Sequence, residues 1–280
     1  MIDSVLLRPL PYEEPDQLVT LWEVNERGTE VHVTAANFLD WQAQSRSFSG
    51  LALHSSYNFG GPATVLGGRE ATRAWTASVS ADFFRIFKVQ PALGRGFTRE
   101  ELQPGTAGVA VVSHRFWQEQ LGAAPELVGR TLEVHGETRQ VVGVMPPEFG
   151  YPASTDIWVP MSPDAAEGRR AHNWQAVGRL RNGVSLTAAR SELNQLARRI
   201  KAEHGEDADA VAAKVTRLQD ELVGPLRRPL VLLLGAAVLV LLVACTNLAS
   251  TLLARGTARQ REIGVRVALG AGRARLVRQL

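Results

Sequence analysis

Cysteine is almost absent. Cys245 is the single one among 280 residues, so no intrachain disulfide can form. A chain of this length buries enough core to fold without such staples, so cysteine usage fits the cytosol and a periplasmic domain alike. Several local signatures of chemistry are missing too. There is no G-x-x-x-x-G-K-[ST] phosphate loop, no G-x-S-x-G elbow and no HxH or HExxH pair. "LGAGRA" has the glycines of a phosphate loop but neither its Lys nor a preceding strand. The six His (32, 54, 114, 135, 172 and 204) are scattered and read as satisfied or solvent-exposed, with no metal ligands among them. Glu13-Glu14 and Glu100-Glu101 are neighbours that point apart on most backbones, and read as surface or helix-start charges. The six Trp (22, 41, 75, 117, 158 and 174) fall one per element without interleaved Arg. They read as core anchors, not as a base-stacking platform. Nothing here asks to be a catalytic site, and no cofactor is implied; the expectation is that the chain is not an enzyme.

Charge is segregated. From Arg255 onward seven Arg stand against one Glu, a net +6, while the remaining 24 basic and 27 acidic residues sum to −3. The basic pI near 9.4 belongs to the tail, and the bulk gives no reason to expect nucleic acid as a partner.

One long apolar run precedes that tail. Residues 230–254, "LVLLLGAAVLVLLVACTNLASTLLA", carry no charge, and a bilayer core needs about 20 such residues. Arg227 and Arg228 precede the run and a denser set of Arg follows it, which places the C-terminal side in the cytoplasm. Residues 1 to about 226 then lie outside it. The N-terminus, "MIDSVLLRPLPY", has no basic n-region and too short an apolar stretch for a signal peptide. It reads instead as the outer end of an upstream transmembrane helix, closed by Arg8-Pro9. Thr246, Asn247 and Ser250 lie within the span without any ionisable neighbour, and read as helix–helix packing positions.

Residues 14 to 216 alternate strands and helices. "QLVTLWEV" alternates like a strand. Thr34 caps a helix carrying Phe38, Leu39 and Trp41, and Ser80 caps a short one in "SADFFRIFKV". Thr98 and Glu101 have capping-box spacing. "GVAVVS" is a buried-strand pattern, followed by a helix from Ser113 to a Gly122 C-cap. "RTLEVHGETRQVVGVMP" is a hairpin turning at Gly136, and "DIWVPM" a last short strand. After a turn at Asn182-Gly183, Leu186, Ala189, Leu193, Leu196 and Ile200 form one apolar helix face, with Gly205 as C-cap. Residues 206–222 suit helix or strand, and helix resumes near Pro225.

With these residues in view, the chain resembles a known group. "VLLRPLPYEEPDQLV", "SADFFRIFKVQPALGRGFTREE", "VAVVSHRFWQEQLG", "LVGRTLEVHGETRQVVGVMPPEFGYP" and "DIWVPM" look like the MacB-like periplasmic core domain. The stretch from Leu241 to Leu280, with "REIGVRVALGAGRARLVRQL", looks like the opening of an FtsX-like permease domain. Together they are characteristic of ABC transporter permeases, especially the duplicated orphan permeases of acidobacteria. The resemblance implies an α+β fold. Its extracytoplasmic domain has two subdomains, and a transmembrane α-helix and a short cytoplasmic helix follow. The expected layout is 1–13 as the outer end of a first transmembrane helix and 14–225 as the periplasmic core. Within that core, a porter-like part covers 14–93 and 173–225, and an inserted subdomain covers 94–172. Residues 226–254 are the span, and 255–280 a cytoplasmic coupling segment, the start of a truncated FtsX-like permease domain, so that the chain reads as a permease fragment. In the family this segment docks on an ATPase subunit; Glu262, Ile263, Gly264, Arg266, Val267, Leu269 and Gly270 match it. Implied partners are an ABC ATPase in trans, further permease halves in a dimer or pseudo-dimer, and the lipid bilayer of the inner membrane. A membrane-anchored sensor or ligand-binding module is the other reading of the same layout.

Overall fold

The computed structural model describes residues 10–55, 61–66, 71–103, 105–106 and 108–268. The chain divides into two compact units, residues 3–223 and residues 224–280 with 1–2; each is described by itself.

The first unit is organised around one continuous set of strands. Four of them, β3 (Phe48–Ser55), β11 (Gln175–Leu180), β1 (Leu18–Asn25) and β12 (Ala210–Arg217), lie side by side in that order, each pair antiparallel. The short β2 (Glu30–Val31) pairs with β1. Helix α1 (Ala35–Gln44) connects β1 to β3, and helix α4 (Leu186–His204) connects β11 to β12. Two strand–helix–strand units interlocked in this way form a split βαβ sheet.

A hydroxyl cap opens each helix, at the expected Thr34 for α1 and at Ser185 for α4. Thr34 Oγ1 accepts from Asn37 N at 3.3 Å and Ser185 Oγ from Ala188 N at 3.1 Å, each satisfying an N–H that the first helical turn leaves unpaired. α1 buries Phe38 and Trp41 and α4 buries Leu193, Leu196 and Ile200 against the same sheet face, which presents Val19, Leu21, Leu51 and Val215. Burial of each such large side chain stabilises the unit by roughly 1.5–3 kcal/mol. Residues alternate across a strand, so Leu18 of β1 joins a different core on the opposite face. There helix α2 (Phe83–Phe87) adds Phe83, Phe84, Ile86 and Phe87, packed with Phe149, Tyr151 and Trp158.

Between β3 and β11 the chain builds a second set of strands: β4 (Gly61–Leu66), β5 (Thr72–Val79), β7 (Val109–Val112), β8 (Thr131–Val134), β9 (Glu137–Val144) and β10 (Ile157–Pro160). They follow one another as β10-β7-β9-β8-β4-β5, and β5 pairs back to β10, closing a ring of six. The ring takes β4 and β5 from before residue 94, so strand pairing crosses the boundary expected there. Its interior holds Val65, Ala110, Leu132 and Val141, with Phe116 of helix α3 (His114–Glu119). The β8–β9 hairpin turns at Gly136, with φ +76°. The two-residue strand β6 (Leu93–Gly94) pairs with β9. Gly94 there has φ +72°, and a Cβ on it would lie 2.2 Å from the Val142 carbonyl oxygen, so only glycine fits.

Several local expectations change. Ser80 does not cap α2; its hydroxyl accepts from Leu53 N at 2.9 Å, tying the helix approach to β3. α3 ends at Glu119, before Gly122. Glu13 and Glu14 converge instead of pointing apart. Glu14 adopts φ +49°, and both carboxylates reach Lys88 Nζ, at 2.7 and 2.5 Å. The Thr98–Glu101 capping box forms in both directions. Residues 206–222 contain strand β12 and then helix, and that helix, α5 (Leu218–Ala268), starts seven residues before Pro225.

The second unit is the remainder of α5. Leu232–Arg261 is long and apolar enough to cross a membrane by length and composition, with mean hydropathy 2.5 over its most apolar 18-residue window. Its described side chains are all exposed.

Candidate functional site

The positions that sequence singled out all lie on α5 or beyond it. The hydroxyls of Thr246, Ser250 and Thr251 donate to the backbone oxygens of Leu242, Thr246 and Asn247, each at 2.8 Å. These bonds satisfy the hydroxyl hydrogens inside their own helix. Asn247 has no such bond from its side-chain amide among the described residues, and that amide is the polar group left in the apolar run. Glu262, Ile263, Gly264, Arg266 and Val267 fall on the last turns of α5; Leu269 and Gly270 lie outside the described residues.

Sequence reasoning missed a site in the first unit: a cavity of about 520 Å³ where β1 and β11, β5 and the first turn of α5 come together. Strand alternation creates one wall. Val19 and Leu21 point to the helices, so Thr20 and Trp22 point the other way, into the cavity. Trp75 on β5 stands opposite with nearly half its surface exposed. The segment Tyr151–Thr155 forms the third side and is held at both ends. Trp158 Nε1 donates to the Tyr151 carbonyl at 3.0 Å. Asp156 accepts from Trp75 N at 3.0 Å and from Arg115 at 2.6 Å. Leu218, Glu221 and Leu222 supply the remaining side.

At the closed end His54 is fully buried, and its Nε2 lies 3.0 Å from the Tyr151 hydroxyl. Its Nδ1 has no hydrogen-bond partner among the described residues. Burial, with a smaller contribution from His32, pushes the imidazole down to about 3, so it is neutral at physiological pH. Burial also raises the Tyr151 phenol, with the charges of Tyr12 and Glu221 adding to it. The signal in sequence was the Thr20-x-Trp22 alternation, opposite in phase to Val19-x-Leu21.

A second polar cluster lies on the helical face of the sheet. Glu23 of β1 is fully buried. Its Oε1 accepts from Asn37 Nδ2 at 2.9 Å and from Thr34 N and Oγ1 at 3.2 Å. Its Oε2 lies 3.0 Å from His172 Nδ1, whose Nε2 is 3.0 Å from Asp209. Burial alone lowers the His172 imidazole; the bond and charge of Glu23, the His32 carbonyl and Asp209 outweigh it and raise the group to about 9. Through Oε1 Glu23 ties β1 to the start of α1, while Oε2 is left to its ion pair with His172. Among the described residues no group of three or more His, Cys, Asp or Glu is placed to hold a metal ion.

Solved structures share this architecture. The periplasmic region of MacB from Actinobacillus actinomycetemcomitans superposes with a TM-score of 0.55, covering 80% of this chain and 98% of its own, at 12% identity. The extracellular domain of the noncanonic ABC-type transporter YknZ from Gram-positive bacteria gives 0.52, covering 71% and 99%, at 13% identity. The first unit therefore has the mixed α/β fold of domains that transporters carry outside the membrane. The sequence model of the MacB-like periplasmic core domain matches residues 11–196, and the chain belongs to that family. Curated relatives include the macrolide export ATP-binding/permease protein MacB of Burkholderia thailandensis, 28% identical over 74% of this chain. The protein of the same name in Shewanella sp. strain ANA-3 is 26% identical over 79%. The chain spans about a third of the length of these relatives, 31% and 34%.

Proposed function

We infer that the chain acts as part of the permease of an ABC-type system. In this reading a partner ATPase in trans drives motion of the periplasmic domain, and the chain itself is not an enzyme. The observation that carries this is the order of parts: a MacB-like periplasmic core followed by one apolar helix. The relatives' name includes ATP binding, and in this reading that role is assigned to the partner ATPase. The core, residues 14–225, is read as a porter-like lobe built on the split βαβ sheet and an inserted lobe built on the ring. The use of β4 and β5 in the ring supports counting those two strands with the inserted lobe. Residues 226–254 cross the inner membrane, the core faces the periplasm, and 255–280 lie in the cytoplasm, as the Arg bias supports.

Two surfaces on α5 then have assigned partners. Asn247, with Thr246 and Ser250 one turn apart, meets neighbouring permease helices, where an amide without a partner in lipid would be costly. Glu262 to Gly270 dock on the ATPase. Ile263 and Val267 are four apart and share a helix face, giving an apolar ridge within a basic segment. The test is copurification of the ATPase subunit with the permease after Ile263→Asp and Val267→Asp. Loss of the ATPase at unchanged membrane insertion is expected, and undiminished copurification refutes the docking role.

A further inference from the structure

We propose that the cavity between β1, β5 and the first turn of α5 is a binding site for a small organic cation with an apolar body, its charged nitrogen held at Glu221. The proposal stands independently of the permease reading.

The cavity's size, about 520 Å³, lies in the range of small-molecule sites. Its walls are mostly apolar, with the Trp22 and Trp75 rings on two of its sides. Such sites fix a ligand's orientation with a few polar groups, and here one of them is charged. Glu221 is the single Asp, Glu, Lys or Arg among the lining residues. It is only part-exposed, and among the described residues no Lys, Arg or His forms an ion pair with it. A carboxylate drawn partly out of water without a counter-charge is unfavourable, and a ligand cation would supply what the protein does not.

The remaining groups narrow the class. His54 is the one other lining side chain able to carry charge near neutral pH, and burial keeps it neutral, so among the described residues no protein cation competes for Glu221. An anionic ligand would meet Glu221 without any compensating positive group. A neutral ligand of the same shape would fill the apolar space but cover the carboxylate. The aromatic rings act in the same direction as Glu221, because a cation is attracted to the face of an indole. His54 Nδ1 and the Tyr151 hydroxyl close the inner end as neutral polar groups.

The experiment uses the full chain in phosphatidylcholine nanodiscs and three probes of one shape: 4-phenylbutylammonium, 4-phenylbutanol and 4-phenylbutyrate. Binding is measured by calorimetry. The expected order is cation at least tenfold tighter than alcohol, with the carboxylate undetectable. Glu221→Gln is expected to bring the cation to the level of the alcohol. Ala153→Trp, which fills the mouth, is expected to abolish binding of both. Near-UV circular dichroism checks that each variant keeps its tertiary packing. Equal affinity for cation and alcohol overturns the proposal. So does cation binding unchanged in Glu221→Gln, cation binding that survives Ala153→Trp, or no binding of any probe at millimolar concentration.

Discussion

Replacing Glu23 by Gln should change both the stability of the first unit and the way that stability depends on pH. The amide keeps the shape and one acceptor oxygen, so the bonds from Thr34 and Asn37 can persist. What is lost is the negative charge 3.0 Å from His172 Nδ1. In the folded protein His172 is raised from 6.5 to about 9. A base held above its unfolded value stabilises the fold fully below pH 6.5, and the effect disappears as pH rises through 9. That interval corresponds to at most about 3 kcal/mol. Solvent at the imidazole edge, 17% exposed, and the share contributed by Asp209 leave about 2 kcal/mol for Glu23. Glu23→Gln should therefore destabilise the unit by about 2 kcal/mol more at pH 6.5 than at pH 9, and move His172 down toward 6.5. Denaturant unfolding followed by tryptophan fluorescence gives the first quantity, and imidazole titration by NMR the second. An equal cost at both pH values, or a His172 titration that Glu23→Gln leaves unmoved, refutes the reasoning.

Two further outcomes follow from buried groups. His54 titrates near 3 when folded and near 6.5 when unfolded, so its contribution is present above pH 6.5 and is lost as pH falls. Between pH 7 and 5 this should cost about 2 kcal/mol, and His54→Phe should flatten that slope in unfolding midpoints measured against pH. Arg179, 4% exposed, donates to the carbonyl oxygens of Ile86 at 2.5 Å, Glu13 at 2.9 Å and Glu14 at 3.3 Å. Arg179→Met leaves those acceptors without their donor and should lower stability by about 2–4 kcal/mol, seen as an earlier unfolding midpoint with an unchanged denaturant slope.

Much of the local structure was legible in sequence, because it depends on neighbours. Thr34 announces its helix since a hydroxyl can reach an N–H three residues on. The 3-4 spacing of Leu193, Leu196 and Ile200 fixes the buried face of α4 whatever lies beneath it. Gly136 marks its hairpin through φ alone. The apolar run on α5 and its Arg flanks are likewise properties of composition. The convergence of Glu13 and Glu14 on Lys88 was not legible, because it depends on a left-handed Glu14 and on a helix more than seventy residues away.

Sequence by itself determined the elements, the apolar span, the charge asymmetry and the family resemblance, since all are carried by residues close together along the chain. Only the tertiary structure decided that β5 returns to β10 and closes a ring, that Glu23 is buried beside His172, and that Trp22, Trp75, Tyr151 and Glu221 surround one cavity. Those four residues span 200 positions, and no periodicity links them. They meet because β1 turns its even-numbered side chains away from the helices while the inserted strands and the start of α5 cover that same face.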